Sequence, residues 1–331
     1  MKHIQLPRHT LVGKEVLEKI TDITSDFDSP LVISGEKTKE IAGNKITKEL
    51  DCDSIVANGS EQIEKTIKEN KIDIAIAVGG GRIIDFVKLA ANNSKIEYIS
   101  VPTNCAHDGI ASPVASIGKG ISKKVSSPWA IVVDIDIIKN APYKYIAAGV
   151  GDIIAKYTAV RDWRLGHIIK GEYYGDYASS LSEMVSSVVM DNVQEIRQKT
   201  DVGLGVLVEA LISSGAAMGI AGSSRPASGS EHKFSHALDL IAPKPALHGE
   251  QVGIGTIIMS YLHGENWKKI KNVLELAGCP TTAKQIGMDR DIFLSALLKA
   301  KEIRPDRYTI IEHIKLDKDI AENALDSTGV I

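Results

Sequence analysis

Between residues 30 and 136, apolar runs of strand length alternate with stretches of helical periodicity, and this alternation limits the possible folds more than any other feature. "PLVIS" precedes "EKTKEIAGNKITKEL", "SIVA" precedes "EQIEKTIKENK", and "IDIAIAVGGG" precedes "RIIDFVKLAANN"; "EYISVPT" and "WAIVVDID" follow. The strand-length runs are rich in β-branched residues and lack polar alternation, as in strands buried on both faces, so the pattern predicts an open parallel sheet covered by helices. Ligands of such sheets sit beyond the carboxyl ends of the strands.

After residue 145 the strand signals nearly vanish. "DIIAKYTAVRDWRL", "YASSLSEMVSSVVMDNVQEIRQK", "GVLVEALISSGAAMGIAG" and "EQVGIGTIIMSYLHGENWKKIKNVLELAG" carry apolar residues three and four apart over lengths too great for strands. A chain of 331 residues also exceeds the size at which one core usually stops growing. The expectation is a Rossmann-like α/β domain over 1–146 and an all-α domain over 147–331, joined tightly near "KNAPYKYIAAGVG" and sharing a cleft.

Composition removes several function classes. A net charge of −3 leaves no basic footprint for nucleic acid. The sequence reads as having no apolar stretch long enough for a membrane span, and its charged start lacks a signal-peptide core, so a cytoplasmic location is expected. Cys52, Cys105 and Cys279 are an odd number without a C-x-x-C pair, which indicates neither a disulfide framework nor a thiolate zinc site.

In "AIAVGGGRIIDF" a buried strand runs into Gly79, Gly80 and Gly81 and then a helix, placing backbone N–H groups and a helix N-terminus at one point. That suits a phosphate, although neither G-x-G-x-x-G nor the Walker spacing is present and a tight packing turn would look the same. "SVPTNCAHDGIASPVASIG" follows the next strand. Thr103, Asn104, His107, Asp108 and Ser112 there place hydrogen-bonding groups beside the glycines.

His232 and His236 lie one helical turn apart, and His248 follows in "LHGEQ". Two imidazoles and a carboxylate form a common three-ligand metal site with an open position, and Asp152, after a glycine turn in the first turn of a long helix, is the candidate carboxylate. His232 and His248 are candidate ligands. His236 is either a ligand or a neighbour that touches substrate; spacing alone leaves both open.

Together, "AVGGGRIIDFVKLAA", "VPTNCAHDGIASPVAS", "GVGDIIAKYTAVRDW" and "SGSEHKFSHAL…LHGEQVGIGT" resemble the archaeal sn-glycerol-1-phosphate dehydrogenases, within the group that includes glycerol dehydrogenases, iron-type alcohol dehydrogenases and 3-dehydroquinate synthases. The resemblance spans roughly residues 10 to 285, and "HDGIASP" points to the glycerol-1-phosphate branch. It implies a dehydroquinate synthase-like fold, one Zn2+ per subunit, NADPH or NADH, a homo-oligomer, and reduction of dihydroxyacetone phosphate, the first step of archaeal phospholipid backbone synthesis.

By position, the resemblance makes Asp152, His232 and His248 the metal ligands. It puts Asp108, Asp152 and His236 at the substrate, and Gly79, Gly80, Gly81, Asp85, Thr103, Asn104, Cys105, Ala106 and Ser112 in the cofactor motifs. Ala106 stands where relatives commonly carry serine, which removes one hydroxyl contact. Lys156, Arg161, Arg225 and Lys233 are candidate donors to a substrate phosphate. Gly35, with Lys37 and Lys39 after it, favours tolerance of a cofactor 2′-phosphate. The competing expectations are a dehydrogenase of unphosphorylated glycerol or a simple alcohol, a dehydroquinate synthase-type cyclase, and a nucleotide sensor with a structural metal.

Overall fold

The structure, a computed structural model, describes residues 4–118 and 121–331. The five apolar runs form strands β2 (Pro30–Ser34), β3 (Asp53–Val56), β4 (Ile74–Gly79), β5 (Glu97–Pro102) and β8 (Ala130–Asp134). The sequence signal missed β1 (His9–Gly13), which pairs in parallel with β8 at the edge and is half-exposed. It also missed an antiparallel hairpin of β6 (Val114–Gly118) and β7 (Ile121–Lys124), whose strands are short and largely exposed, Ile117 and Ile121 included.

The sheet order is β1-β8-β5-β4-β2-β3, with every pairing parallel. Without the edge strand β1, this is the doubly wound order in which the chain reverses direction between its first and third strands, here β2 and β4. A ligand crevice opens beyond their carboxyl ends. Gly35 follows the first of these strands and Gly79 ends the other.

Strand periodicity divides the sheet's apolar residues between two cores. Leu31, Ile33, Ala75, Ala77, Ile131 and Val133 face one side, and Val32, Ile74, Ile76, Val78, Val132 and Ile99 the other. The first core is continuous with the helices after residue 145 and reaches Val330, so one apolar interior spans both halves of the chain. Helix α1 (Gly81–Ser94) covers this face.

The helix expected over residues 36–50 is broken by a π-helical turn at Lys39–Gly43. Gly43 packs there against Ser34, and Thr38 Oγ1 donates to Val78 O at 2.8 Å, which ties the turn to the strand ends.

From Tyr143 onward the described residues hold helices and turns only. The relevant ones are α2 (Tyr143–Ile154), α3 (Lys156–Lys170), α4 (Asp201–Ala221), α5 (Ser230–Ile241) and α6 (His248–Leu262). One expectation is corrected here. Asp152 lies near the end of α2 rather than in a first turn, because Gly149 and Gly151 continue the helix instead of breaking it.

These glycines serve close approach. A Cβ on Gly151 would strike the carbonyl oxygen of Gly249 in α6, one on Gly249 would strike that of Ala148, and one on Gly149 would strike that of Cys105.

The reading that no apolar stretch is long enough for a membrane span is also corrected. Helix α4 has 21 residues and a mean hydropathy of 1.8, long and apolar enough by those measures, and 56% of that stretch is buried inside the protein. It packs on the helix Asp176–Asp191 and on the Asp108–Ile110 turn, where Gly215 meets Ala111 and Ser112. A helix enclosed on several sides is apolar all round.

Gly249→Ala is expected to destabilise the fold by about 1–3 kcal/mol, because rigid backbone must shift. Gly205→Ala in α4, where a Cβ meets nothing within 4 Å, should stabilise by about 0.4–1 kcal/mol. Denaturant unfolding of the two variants measures the contrast.

Candidate active site

A cavity of about 710 Å³ lies between the carboxyl edge of the sheet and helices α5 and α6. Gly81, Asp85, His107, Asp108 and Ser112 line it from the sheet side, and His232, His236, His248 and Arg304 from the helical side. A neighbouring cavity of about 860 Å³ shares Arg304 and Ser224 but contains none of these histidines, so the chemistry belongs to the smaller one.

At its sheet end, β4 delivers the triple glycine to the N-terminus of α1, whose first N–H groups have no intrahelical partners. The glycines also serve packing. Added Cβ atoms would meet Ile83 at Gly79, Asn104 at Gly80 and the His107 ring at Gly81.

Thr103 is tied to this turn by its N–H to Gly79 O at 3.0 Å, and Asn104 Oδ1 accepts from Ala106 N at 3.3 Å. Cys105, expected among the cofactor motifs, follows Asn104 in this loop. Its thiol is fully buried in the core, where burial pushes it up to about 12.

The loop that follows is fastened from beneath by Lys88. Its ammonium is fully buried, donates to Gly109 O at 2.5 Å and Val114 O at 3.0 Å, and stands 3.5 Å from both Ser112 Oγ and Asp85 Oδ1. Asp85 Oδ2 accepts from Ser116 N at 3.2 Å. Sequence reasoning overlooked Lys88. The available signal was a lysine at the buried position between Ile84 and Ala91 on the apolar stripe of α1.

Among the described residues, Asp152, His232 and His248 bring one donor atom each to within 4.8 Å of one another. His232 Nε2 is 3.8 Å from Asp152 Oδ1, while its Nδ1 is held by Glu231 Oε1 at 2.8 Å. His248 Nδ1 lies 3.2 Å from Ser235 Oγ. With both Nδ1 atoms occupied, the Nε2 lone pairs are presented to the shared point.

Burial, then the Lys156 charge, hold His232 well below the ordinary imidazole range; burial, then His232 and His236, do the same to His248. Neutral imidazoles with a buried carboxylate have the donor chemistry of a divalent metal site.

His236 stands apart from the trio. Its ring centre is 5.8 Å from that of His248 and 6.4 Å from that of His232, and its Nδ1 lies 3.5 Å from Asp239 Oδ2 without hydrogen-bond geometry.

Two carboxylates share one buried ammonium. Lys156 Nζ is 2.7 Å from Asp152 Oδ1 and 2.9 Å from Asp108 Oδ2. Asp108 N donates to Asp152 Oδ2 at 2.8 Å, and Ser214 donates to Asp108 Oδ2 at 2.8 Å. Burial raises both acids. For Asp108 the Lys156 charge together with the hydrogen bonds from Lys156 and Ser214 outweighs burial and holds it below the usual range, whereas burial and the Asp108 charge leave Asp152 raised.

Lys156 is therefore an internal counter-ion rather than a donor to a substrate phosphate. The other three candidates are also engaged within the protein: Arg161 with Glu265, Arg225 with Glu172, and Lys233 with Glu312. Arg304, which sequence reasoning did not single out, lines the cavity instead.

Behind His232 lies a second buried layer. Glu231 accepts from Gly229 N at 2.6 Å and Thr158 Oγ1 at 2.7 Å, and burial, then Asp162, push its carboxyl up to about 7. Asp162 accepts from Ser230 N, Ile310 N and His263 Nε2 at 2.6 to 3.0 Å, fixing the start of α5.

Comparison with known proteins agrees with this architecture. Residues 12–142 match the family described as iron-containing alcohol dehydrogenase. The glycerol-1-phosphate dehydrogenase (NAD(P)+) of Pyrococcus furiosus is 51% identical, and that of Pyrococcus abyssi 49%, with all of both chains covered in each case. The chain belongs to the glycerol-1-phosphate dehydrogenase family. Its fold is also that of a probable glycerol dehydrogenase from Sinorhizobium meliloti. The TM-score is 0.81 at 17% identity, covering 99% of this chain and 98% of the other.

Asp152→Ala is expected to remove divalent-metal binding, since it deletes the one anionic donor. Glu231→Ala should weaken it by about 10- to 100-fold by releasing the His232 ring. Competition with a chromogenic chelator measures both, and unchanged affinity in a folded Glu231→Ala protein would deny Glu231 that role.

Proposed function

We propose that the chain reduces dihydroxyacetone phosphate to sn-glycerol 1-phosphate with NADPH or NADH, on a zinc ion held by Asp152, His232 and His248. The observation that carries this reading is a cavity lined by His232 and His248, which converge with the buried Asp152, and by Gly81 at the start of α1. Family membership supports the substrate and cofactor, because the relatives' names specify glycerol 1-phosphate and NAD(P)+. The product is the backbone of archaeal phospholipids. A division into a cofactor-binding part over 1–146, a metal- and substrate-binding part over 147–331, and assembly as a homo-oligomer belong to the same proposal.

When bound, zinc supplies Lewis-acid stabilisation of charge developing on a ketone oxygen, and reduced nicotinamide supplies hydride. The protein's own residues do the rest. Gly79, Gly80, Gly81 and the N-terminus of α1 receive the cofactor pyrophosphate, with Asp85, Thr103, Asn104 and Ser112 bordering it.

Lys156 fixes both Asp152 and Asp108 by sharing one ammonium between them. Asp108 has Oδ2 occupied by Ser214 and Lys156, which leaves Oδ1 for a substrate hydroxyl. His236 lines the cavity beside the metal ligands and is the side chain placed to return a proton to the nascent alcohol. Gly35 follows β2 where an acidic side chain is absent, and exposed Lys37 and half-exposed Lys39 come after it, which favours tolerance of a 2′-phosphate.

NAD(P)H oxidation is expected with dihydroxyacetone phosphate, lost on chelation and restored by zinc. Preferential turnover of free dihydroxyacetone would overturn the substrate assignment, and iron found as the native metal would replace zinc. His236→Ala should retain metal and NADPH while losing turnover by about 10²- to 10⁴-fold. Metal loss in that variant, with metal kept in His232→Ala, would exchange their roles.

A further inference from the structure

The four basic residues named as candidate donors to the substrate phosphate are engaged by internal partners, yet the cavity has another cationic group. Arg304 and Arg307 lie in the turn "EIRPDRY" after the helix Arg290–Lys299. Arg304 donates to Ser224 Oγ at 3.2 Å and to Ser122 Oγ; Arg307 donates to the same Ser224 Oγ at 2.9 Å and to Ser228 O at 2.5 Å. Each of these partners is neutral. Among the described residues neither guanidinium has a carboxylate within ion-pair distance, in contrast to Arg225, Arg161 and Arg290, which all do.

Holding these cations together is unfavourable without an anion. Burial, then the charges of Arg304 and Arg225, lower Arg307 to about 9. Arg225 is itself buried and leaves Nη1 with no partner in the protein. Arg304 also adopts a φ of 46°, a left-handed conformation rare for a side chain of its size. Such strain persists where the surroundings require a group to be aimed in one direction. Arg304, Ser224 and Ser228 line the same cavity as His232, His236 and His248, and the Arg304 charge contributes to holding His232 neutral.

We propose that Arg304, backed by Arg307 and the Ser224 hydroxyl, is the anchor for the phosphate of the triose substrate and the source of preference for a phosphorylated over a free triose. A guanidinium fork with a hydroxyl beside it matches the tetrahedral oxygens of a phosphate monoester, and the missing counter-charge is then supplied by the ligand. This rests on the reductase reading of the cavity, because that reading places the ketone at the histidine cluster and the rest of a three-carbon molecule toward Arg304.

The test uses the metal-loaded enzyme and its Arg304→Ala and Arg304→Lys variants, with folding checked by thermal melting. Calorimetric titration with inorganic phosphate needs no turnover. Affinity should fall about tenfold or more in Arg304→Ala and recover partly in Arg304→Lys, the loss expected for one charge-assisted contact. In steady state, KM for dihydroxyacetone phosphate should rise by a similar factor while the dissociation constant of NADPH stays the same. Unchanged phosphate affinity in folded Arg304→Ala, or a loss of NADPH affinity in place of phosphate affinity, would overturn the assignment. A wild-type enzyme that binds phosphate through Arg304 but does not reduce the triose phosphate would refute the reductase reading and leave the anion site standing.

Discussion

The site depends on how closely two helices cross. Helices α2 and α6 meet where Gly151 and Gly249 lie against the partner helix's backbone, and the residue after one glycine is Asp152 while the residue before the other is His248. Two of the three metal-type donors are therefore set by main-chain contact, which side-chain motion cannot loosen. Any Cβ at the crossing would push the helices apart, and with them a donor separation that is within 4.8 Å. Helix packing and ligand geometry are one constraint here, so the glycines flanking the donors are as much a part of the site as the donors.

The crossing brings acidic groups into an interior that must accommodate them. Asp152 and Asp108 would repel at this range if left alone, and Lys156, fully buried one turn after Asp152, lies between them. One ammonium between two carboxylates leaves a negative remainder facing the imidazoles, which suits a cation held at that point. Glu231 and Asp162 extend the same logic outward. Each is a buried acid with its oxygens hydrogen-bonded, and together they fix the start of α5 and the His232 ring. A buried polar network satisfied at each of these oxygens holds its members in one arrangement, which is what a metal ligand needs from its surroundings.

Much of this was legible in the residues because it rests on local pattern. Runs such as "IDIAIAVGGG" carry their strand and their turn in consecutive positions, and the helical second half declares itself by period. The histidines were legible as chemistry, since two imidazoles and an acid are a familiar donor set.

Other features depend on contacts between residues far apart in the chain, which no local pattern records. Lys156 reads as an ordinary helical lysine until Asp108, 48 positions earlier, is packed against it. Glu231 has the composition of an exposed helix N-terminus, yet it is fully buried against Thr158. The "GVG" before Asp152 resembles a turn because glycine usually ends helices, and only the position of α6 shows that it serves close packing. Arg304 lay beyond the stretch of recognised motifs, in a turn whose charge makes it look like surface.

His107 is where the two ends of the cavity communicate. Its ring occupies the space a side chain on Gly81 would need, its Nδ1 accepts from Gly109 N at 2.9 Å, and its ring centre is 6.4 Å from that of His248. The same imidazole thus touches the glycine turn of the sheet and approaches the donor cluster of the helices. In the proposed reading, a cofactor lying from the glycine turn toward the donors would run alongside this ring. Glycine at position 81 then has two reasons to be there: an unobstructed helix N-terminus for an anion, and room for the imidazole that borders the route from that anion to the reacting carbon. The sheet half and the helical half do not merely face one cleft. They share its wall, and a shift of the 103–112 loop would be felt by the glycine turn and the His248 ring together.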